Sequence, residues 1–249
     1  EIEIKKEIDI EIEKERELET GQAPARSYGR YNNVFLSDTE LDELKAELPD
    51  KWEYYIDRLS THIASKGTKY RSHAATIYKW ARAKILSENM ERMGVKNVMV
   101  TNESPQTLAG MFTEYFDRIM VDAPCSGEGM FRKNEQACEE WSPENVQICA
   151  ARQQEILACA ASMLRPGGRM VYSTCTFAPE ENEGTISRFL EQHPQFHIVP
   201  VKKYPGMADG VAAWTKHPAA EIGDTIRLFP HHLHGEGHFV AVLEKEGTV

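Results

Sequence analysis

The chain has 249 residues, of which 41% are hydrophobic and 27% charged, and its formal net charge is −10. This composition argues against a membrane-spanning protein, because no stretch reaches the roughly 18 apolar residues that a bilayer helix needs. Its five cysteines include no CxxC pair, which argues against a disulfide framework or a zinc knuckle and favours a reducing compartment. With no apolar signal segment expected at the start, the predicted location is cytoplasmic.

Residues 1–26 are predicted to be a charged tail and linker. Isoleucine alternates with Glu and Lys at positions 2, 4, 8, 10 and 12. This period of two is compatible with an amphipathic strand, but Glu and Lys at such density are poor strand formers. We therefore predict a tail that is disordered or partly helical, followed by a linker at 21–25.

Residues 27–81 are predicted to form a small helical segment. One helix follows Ser37 and ends at Pro49, a second covers 51–65, and a third starts near Ser72. The second carries one apolar stripe at helical spacing, made of Trp52, Tyr55, Ile56, Leu59 and Ile63. Such a unit of about 50 residues is near the lower size limit for independent stability.

A basic run at 58–82 overlaps this segment. It holds six Lys or Arg and no acid, with Tyr70, Tyr78 and Trp80 interleaved. Cations neutralise phosphates and aromatic rings stack on bases, so nucleic-acid contact is one interpretation, with Lys66, Lys69 and Arg71 as the candidate residues. The alternative is that the rings lie in a core and the cations face water.

The sequence of this segment resembles the C-terminal segment of phage replication-initiation proteins of the DnaD-like type. The residues that carry the resemblance are YNNVFLSDTELDELKAELPD and DRLSTHIASKGTKYRSHAATIYKWA. The resemblance covers about residues 28–81 and includes no catalytic position. It implies a role near DNA replication and raises DNA as a second partner.

From residue 82 onward the chain alternates helices with strands, which predicts a parallel α/β sheet. The predicted helices cover 81–94, 104–114, 146–164 and 180–192, and the predicted strands cover 97–101, 116–121, 169–173, 197–201 and 237–243. Two of these strands end in a cysteine, within DAPCSGEGMFRK (122–133) and YSTCTFAPEENE (172–183). Since parallel strands end at one edge of a sheet, Cys125 and Cys175 are expected there together. Cys138, Cys149 and Cys159 fall in helical sequence and are predicted to be packing residues.

These two motifs resemble the paired cysteine motifs of RNA (cytosine-5) methyltransferases of the RsmB/Nop2/Sun type. The segment RLFPHHLHGEGHFVAVLEK (227–245) is similar to the end of their catalytic domain, close to RsmF-like members. A DNA cytosine methyltransferase is expected to use only the Pro-Cys motif, and an amino-group methyltransferase would lack Cys125. Neither alternative accounts for Cys175.

The resemblance implies a reaction and its residues. A thiolate must add to cytosine C6 before C5 can attack the methyl group of S-adenosylmethionine, the implied cofactor. On the family pattern Cys175 is the nucleophile, Cys125 assists release, and Asp122 hydrogen-bonds the base and lines the cofactor pocket. Arg132 and Lys133 are candidates for an RNA phosphate, with a solvated loop pair as the alternative.

One part of the family pattern has no counterpart in this sequence. No Gly-rich motif for the methionine part of the cofactor precedes residue 82, so the fold prediction is a partial Rossmann-like methyltransferase sheet whose first strands are missing. Asn102, at the end of the predicted strand 97–101, is the remaining cofactor candidate besides Asp122, and the neighbouring strand is expected to have an unpaired edge. The alternatives are a non-enzymatic nucleic-acid-binding protein or a chimera without a selected function.

Four histidines lie close together near the end of the chain, at positions 231, 232, 234 and 238. Their spacing suggests zinc, but spacing alone is weak evidence for a complete ligand set. We therefore predict no metal and interpret this region as a strand–turn–strand around Gly235 and Gly237.

Overall fold

The structure is a computed structural model that describes residues 2–4, 25–133 and 135–248. These residues form two compact units. One consists of 25–102, and the other combines 2–4 with 103–248. In the described part of the chain, no helix is long and apolar enough to cross a membrane.

The first unit consists of a two-stranded hairpin and three helices. Its elements are β2 (Arg26–Tyr28), β3 (Val34–Leu36), α1 (Asp38–Glu47), α2 (Trp52–Lys66) and α3 (His73–Arg92), following the single strand β1 (Ile2–Ile4) of the other unit. Ser37 and Glu40 form a capping box at the start of α1, and Gly67 ends α2 with a φ of 64°. The apolar stripe predicted for α2 contributes Tyr55, Ile56 and Leu59 to a buried core.

The predicted break between the helical segment and the alternating region lies within α3. This helix runs from His73 to Arg92 without interruption, so the two helices predicted on either side of residue 81 are one. The predicted strand at 97–101 is wrong, because these residues are irregular and pair with no described strand. Val98 and Met99 are exposed, so nothing buries the apolar face that would stabilise a strand there.

The second unit is a sheet with helices and short 3₁₀ turns. Its helices are α4 (Pro105–Met111), α5 (Glu135–Glu140), α6 (Pro143–Met163) and α7 (Glu183–Gln192). Its further strands are β4 (Phe116–Asp122), β5 (Leu164–Thr174), β6 (Phe196–Ile198), β7 (Met207–Asp209), β8 (Ile226–Leu228) and β9 (His238–Lys245). In the described residues the strand order is β1-β4-β5-β9-β8-β7, with β6 also paired to β9.

The sheet is mixed, which corrects the expectation of an all-parallel sheet. β4 and β5 are parallel and in register from Arg118 beside Arg169 to Asp122 beside Ser173. β9 runs antiparallel to both of its neighbours β5 and β8, and a turn rather than a helical crossover connects it to β8. The predicted strand–turn–strand around the histidines is therefore confirmed.

Residues 2–4 cover part of the sheet edge that was expected to be unpaired. β1 lies parallel to β4, with Ile2 beside Ile119 and Ile4 beside Val121. For these three residues the strand alternative is the one observed, and the remainder of the predicted tail, residues 5–24, lies outside the described part of the chain.

Candidate functional site

The two motif cysteines meet at the carboxyl edge of the parallel strand pair. Cys125 follows β4 and Cys175 follows β5, and their Sγ atoms are 3.3 Å apart. The main-chain amide of Cys175 also donates a hydrogen bond to Cys125 Sγ at 3.3 Å. This separation is well beyond a disulfide bond length of about 2.05 Å, so both residues are thiols. Cys175 is buried and Cys125 is half-buried.

Asp122, the predicted acid, is the last residue of β4 and lies beside Ser173. Its side chain is half-buried, and no hydrogen bond or ion pair reaches its carboxylate from the described residues. A carboxylate without such a partner, three residues before Cys125, suits a hydrogen bond to a bound molecule.

Main-chain hydrogen bonds join the loop after Cys125 to the segments that contain Cys175 and Gly237. Gly129 N donates to Cys175 O at 2.9 Å, and Gly237 N donates to Gly129 O at 3.2 Å. Gly127 has a φ of 79°, which glycine adopts without strain. A Cβ on Gly129 would collide with the carbonyls of Gly237 and Cys175, so this position requires glycine.

A buried acid that was not predicted as a site residue lies beside the thiols. The carboxylate of Glu181 is fully buried and accepts hydrogen bonds from the amide and hydroxyl of Ser126 and from Gln153 Nε2 at 2.8 Å. Burial raises the pKa of Glu181 to about 7, while the hydrogen bonds from Ser126 and Gln153 oppose that shift. Its position within the second cysteine motif was the sequence signal, but the burial of its carboxylate depends on contacts with α6.

A second acid, Glu128, joins the same two loops from the more exposed side. It accepts hydrogen bonds from the hydroxyl of Thr176 and from Trp141 Nε1 at 2.8 Å, and its carboxylate lies 2.9 Å from the hydroxyl oxygen of Ser126. The hydroxyls of Ser126 and Thr176 are themselves 3.0 Å apart. The loops that carry the two cysteines are therefore joined by a continuous polar network.

A buried ion pair stabilises the region behind Cys175. Arg227 Nε donates to Glu183 Oε1 at 2.6 Å in a two-point contact, and both side chains are almost fully buried. The guanidinium also lies 4.8 Å from the Trp214 ring centre and donates to the carbonyl of Phe177 at 3.2 Å. These contacts hold the start of α7 against β8 and the segment after Cys175.

The two cations predicted to bind RNA near the thiols bind a neighbouring loop. Arg132 donates to the carbonyl of Gly235, and Lys133 pairs with Glu236 at 2.8 Å. The hydrogen bond from Lys133 lowers the pKa of Glu236. Both cations remain exposed, so these contacts leave a phosphate role for them as a prediction.

The other predicted nucleic-acid residues lie in the helical unit. Lys66, Lys69 and Arg71 are exposed around the end of α2 and the loop that follows it. The interleaved rings have a structural role, since Tyr78 is buried and Tyr70 and Trp80 pack against the core. The core alternative therefore holds for the rings, and nucleic-acid contact by the cations stays a prediction.

Asn102 belongs to the helical unit, whereas Asp122 belongs to the sheet unit. Its side-chain amide donates to the carbonyl of Lys79 at 2.9 Å. This hydrogen bond explains the position of Asn102 within its own unit, and its role toward a cofactor stays a prediction.

Two further sets of predicted residues are placed by the structure. Cys149 and Cys159 lie in α6, buried and half-buried, whereas Cys138 in α5 is exposed and the packing prediction is wrong for it. Across the described ranges, no three His, Cys, Asp or Glu side chains cluster so as to hold a metal ion.

Most of the chain matches a known protein family. Residues 60–244 match the 16S rRNA methyltransferase RsmB/F family. The chain belongs to this family. The match begins before residue 82 and includes both cysteine motifs, which confirms the resemblance found in the sequence.

Curated RsmB/F relatives match over about three quarters of the chain. The ribosomal RNA small subunit methyltransferase F of Klebsiella pneumoniae is 36% identical over 192 residues, and that of Cronobacter sakazakii is 39% identical over 190 residues. Each match covers 76% of this chain and 38% of the relative. The chain thus spans about two fifths of the length of the curated relatives it matches.

Solved structures support the Rossmann-like methyltransferase fold. A methyltransferase homologue from Pyrococcus horikoshii is 29% identical, with a TM-score of 0.57 over 66% of this chain and 50% of that one. NSun6 from Pyrococcus horikoshii, solved with SFG, is 28% identical, with a TM-score of 0.55 over 68% of this chain and 40% of that one. The α/β fold class predicted from the sequence is confirmed.

Proposed function

We propose that the sheet unit carries the cysteine half of an rRNA cytosine-5 methyltransferase site. The contact between the Cys125 and Cys175 thiols, 3.3 Å apart at the ends of two parallel strands, is the observation that carries this proposal. Membership of the RsmB/F family supports rRNA as the substrate class.

The proposed reaction assigns one step to each thiol. The Cys175 thiolate adds to C6 of an unstacked cytosine, which places electron density on C5. S-adenosylmethionine, when bound, supplies the methyl group that C5 takes. Cys125 then removes the C5 proton, and the electron pair of that C–H bond re-forms the C5–C6 double bond as the Cys175 sulfur leaves. Asp122 hydrogen-bonds the ring near N3 and stabilises the adduct.

Few residues of this chain are candidates for holding S-adenosylmethionine. Asp122 offers a carboxylate with no described partner, and NSun6 was solved with SFG, an analogue of S-adenosylmethionine. The Gly-rich motif for the methionine part is absent from the sequence. Each missing charge-assisted hydrogen bond is worth about 1.5–3 kcal/mol, so we expect the purified chain to bind S-adenosylmethionine weakly or not at all. Calorimetric titration measures this, and micromolar affinity would show that another part of the chain completes the pocket.

The covalent chemistry can be tested without the cofactor. Addition of Cys175 to C6 lets C5 take a deuteron from D₂O, and loss of the original proton then leaves deuterium on the cytosine. The full chain and 16S rRNA, incubated in D₂O, should therefore incorporate deuterium at C5, measured by mass spectrometry of the nucleosides. Cys175→Ala should abolish incorporation, and Cys125→Ala should slow it and accumulate a covalent RNA–protein adduct. Cys159→Ser, in α6, serves as the matched thiol control.

Each other outcome has a definite meaning. The opposite pattern in the two variants would exchange the roles of Cys125 and Cys175. Equal incorporation in both variants, or none with the unaltered chain, would reject covalent catalysis by this pair.

A second candidate function is nucleic-acid binding without catalysis. The exposed cations Lys66, Lys69 and Arg71, in a run of 25 residues without an acid, favour it. DNA is the partner that the replication-protein resemblance raises, and a chimera without a selected function would show neither activity. The cytoplasmic location remains a prediction.

A further inference from the structure

Both chain neighbours of Cys125 are held by buried side chains. Gln153 Nε2 donates to the carbonyl of Pro124 at 2.8 Å, and Glu181 accepts the amide of Ser126 at 3.1 Å. Gln153 is buried in α6, and Glu181 lies in the loop that follows Cys175. The backbone of Cys125 is thereby fixed on both sides by groups outside its own loop.

Glu181 is itself held in place from two further directions. Gln153 Nε2 also donates to Glu181 Oε2 at 2.8 Å, and the hydroxyl of Tyr172 donates to the carbonyl of Glu181 at 2.7 Å. Tyr172 belongs to β5, the strand that immediately precedes Cys175. One residue therefore joins the strand that carries Cys175 to the residue next to Cys125.

Joining two loops through a buried carboxylate costs desolvation free energy. An apolar residue of similar size avoids the cost of removing a charged or polar group from water. In return, two hydrogen bonds from Ser126 to one carboxylate restrict the loop in both distance and direction. Packing alone imposes no such direction.

We propose that Glu181 is a positioning residue that holds the Cys125 thiol against Cys175 and thereby sets the release step. This inference rests on the proposed function for its catalytic meaning. Proton removal by Cys125 requires its sulfur within reach of the C5 proton, on the ring face opposite the new methyl group, and a displacement of about 1 Å can cost about 100-fold in rate. Glu181 acts in this role through the backbone of Ser126, whose amide it accepts.

The geometry can be measured separately from catalysis with phenylarsine oxide. Its arsenic forms two As–S bonds with a close thiol pair, and the two thiol protons leave with the arsenical oxygen as water. The full chain should bind one arsenical, measured by intact-protein mass spectrometry, and Cys175→Ser should abolish this. Glu181→Ala should lower the affinity about tenfold or more, because the Cys125 loop loses its fixed direction. Glu180→Ala, a change of the exposed neighbouring acid, is the matched control and should leave the affinity unchanged.

Two milder variants keep the test decisive if Glu181→Ala does not fold. Glu181→Gln retains an acceptor for Ser126 and should recover most of the affinity. Ser126→Ala removes the hydroxyl that contacts Glu181, Glu128 and Thr176 and should lose part of the affinity. In the deuterium experiment, Ser126→Ala should accumulate adduct as Cys125→Ala does, while retaining attack by Cys175. Arsenical affinity and release that stay unchanged in folded Ser126→Ala or in folded Glu181→Ala would overturn the positioning role. If arsenical binding responds but the unaltered chain shows no deuterium incorporation, the positioning role stands and the proposed function falls.

Discussion

Gly129 donates its amide to the carbonyl of Cys175 at 2.9 Å and accepts the amide of Gly237 at 3.2 Å through its own carbonyl. Three segments that are distant in sequence therefore meet, backbone against backbone, beside the thiol pair. A side chain at position 129 would push these segments apart, which is why a glycine-rich loop follows Cys125.

Gly129→Ala should lower the free energy of unfolding by about 1–3 kcal/mol, as expected when a carbon is forced into a filled space. It should also reduce deuterium incorporation at cytosine, because the Cys125 loop must shift. Urea unfolding followed by circular dichroism measures the first effect. Gly235→Ala is the control, since a Cβ there meets nothing within 4 Å. Equal stability of the two variants would contradict the close approach.

Glu181 should make stability depend on pH. Its pKa is raised from 4.5 to about 7 in the folded protein, chiefly by burial, with Glu128 as the neighbouring acid that adds to the rise. The folded state thus holds a proton that the unfolded state loses, so stability should fall as pH rises from about 4.5 to about 7. The thiol of Cys125 and the hydroxyl of Tyr172 are the other titratable groups nearby.

Glu181→Gln removes this titration and should flatten the pH dependence across that window. Across that window, the loss in free energy of unfolding that Glu181→Gln avoids is on the order of 3 kcal/mol at most. Urea midpoints measured from pH 4.5 to 7.5 test this, with Glu180→Gln as the exposed control. A fall in stability that persists unchanged in Glu181→Gln would assign the titration to another group.

The Glu183–Arg227 pair should be costly to break from one side. Arg227→Met leaves the buried Glu183 carboxylate without its cation, at a cost of about 3–5 kcal/mol. The double variant Glu183→Gln with Arg227→Met removes both charges and should recover part of that loss. Thermal unfolding of the single and double variants measures the coupling, and strictly additive losses would show that the pair contributes no specific interaction.

The exposed cations of the helical unit should determine salt-dependent nucleic-acid binding. Changing Lys66, Lys69 and Arg71 to Gln should weaken binding of RNA or DNA by the full chain and lower the slope of log affinity against log salt by about 0.7–0.9 per lost phosphate contact. Fluorescence anisotropy at several salt concentrations gives that slope. Lys45→Gln, whose cation pairs with Asp42, is the control. A slope unaffected by the triple change would favour cations that only face water.

The contact between the two thiols was predictable because it depends on a local rule. Each cysteine follows a recognisable buried strand, and parallel neighbours bring their carboxyl ends to one edge. The helices of the first unit were predictable for a similar reason, since the Ser37 cap and the leucine spacing are local signals.

Elements that depend on distant partners were decided by the tertiary structure. Residues 97–101 have a strand-like composition, yet they pair with no strand among the residues that the structure describes. Residues 2–4 have an unfavourable composition, and β4 supplies a partner that makes them a strand. Because a strand needs a partner strand, a prediction from composition alone was wrong for both segments.

The sequence by itself determined the family, the paired cysteines and the position of Asp122, because these are carried by short motifs whose chemistry is readable residue by residue. Only the tertiary structure revealed that Glu181 supports Cys125 and that Glu183 pairs with Arg227. These two acids stand in one motif with Glu180, which is exposed, and nothing local distinguishes the three. Identical side chains differ in role because only some of them are buried, and burial depends on contacts between segments that lie far apart in the chain.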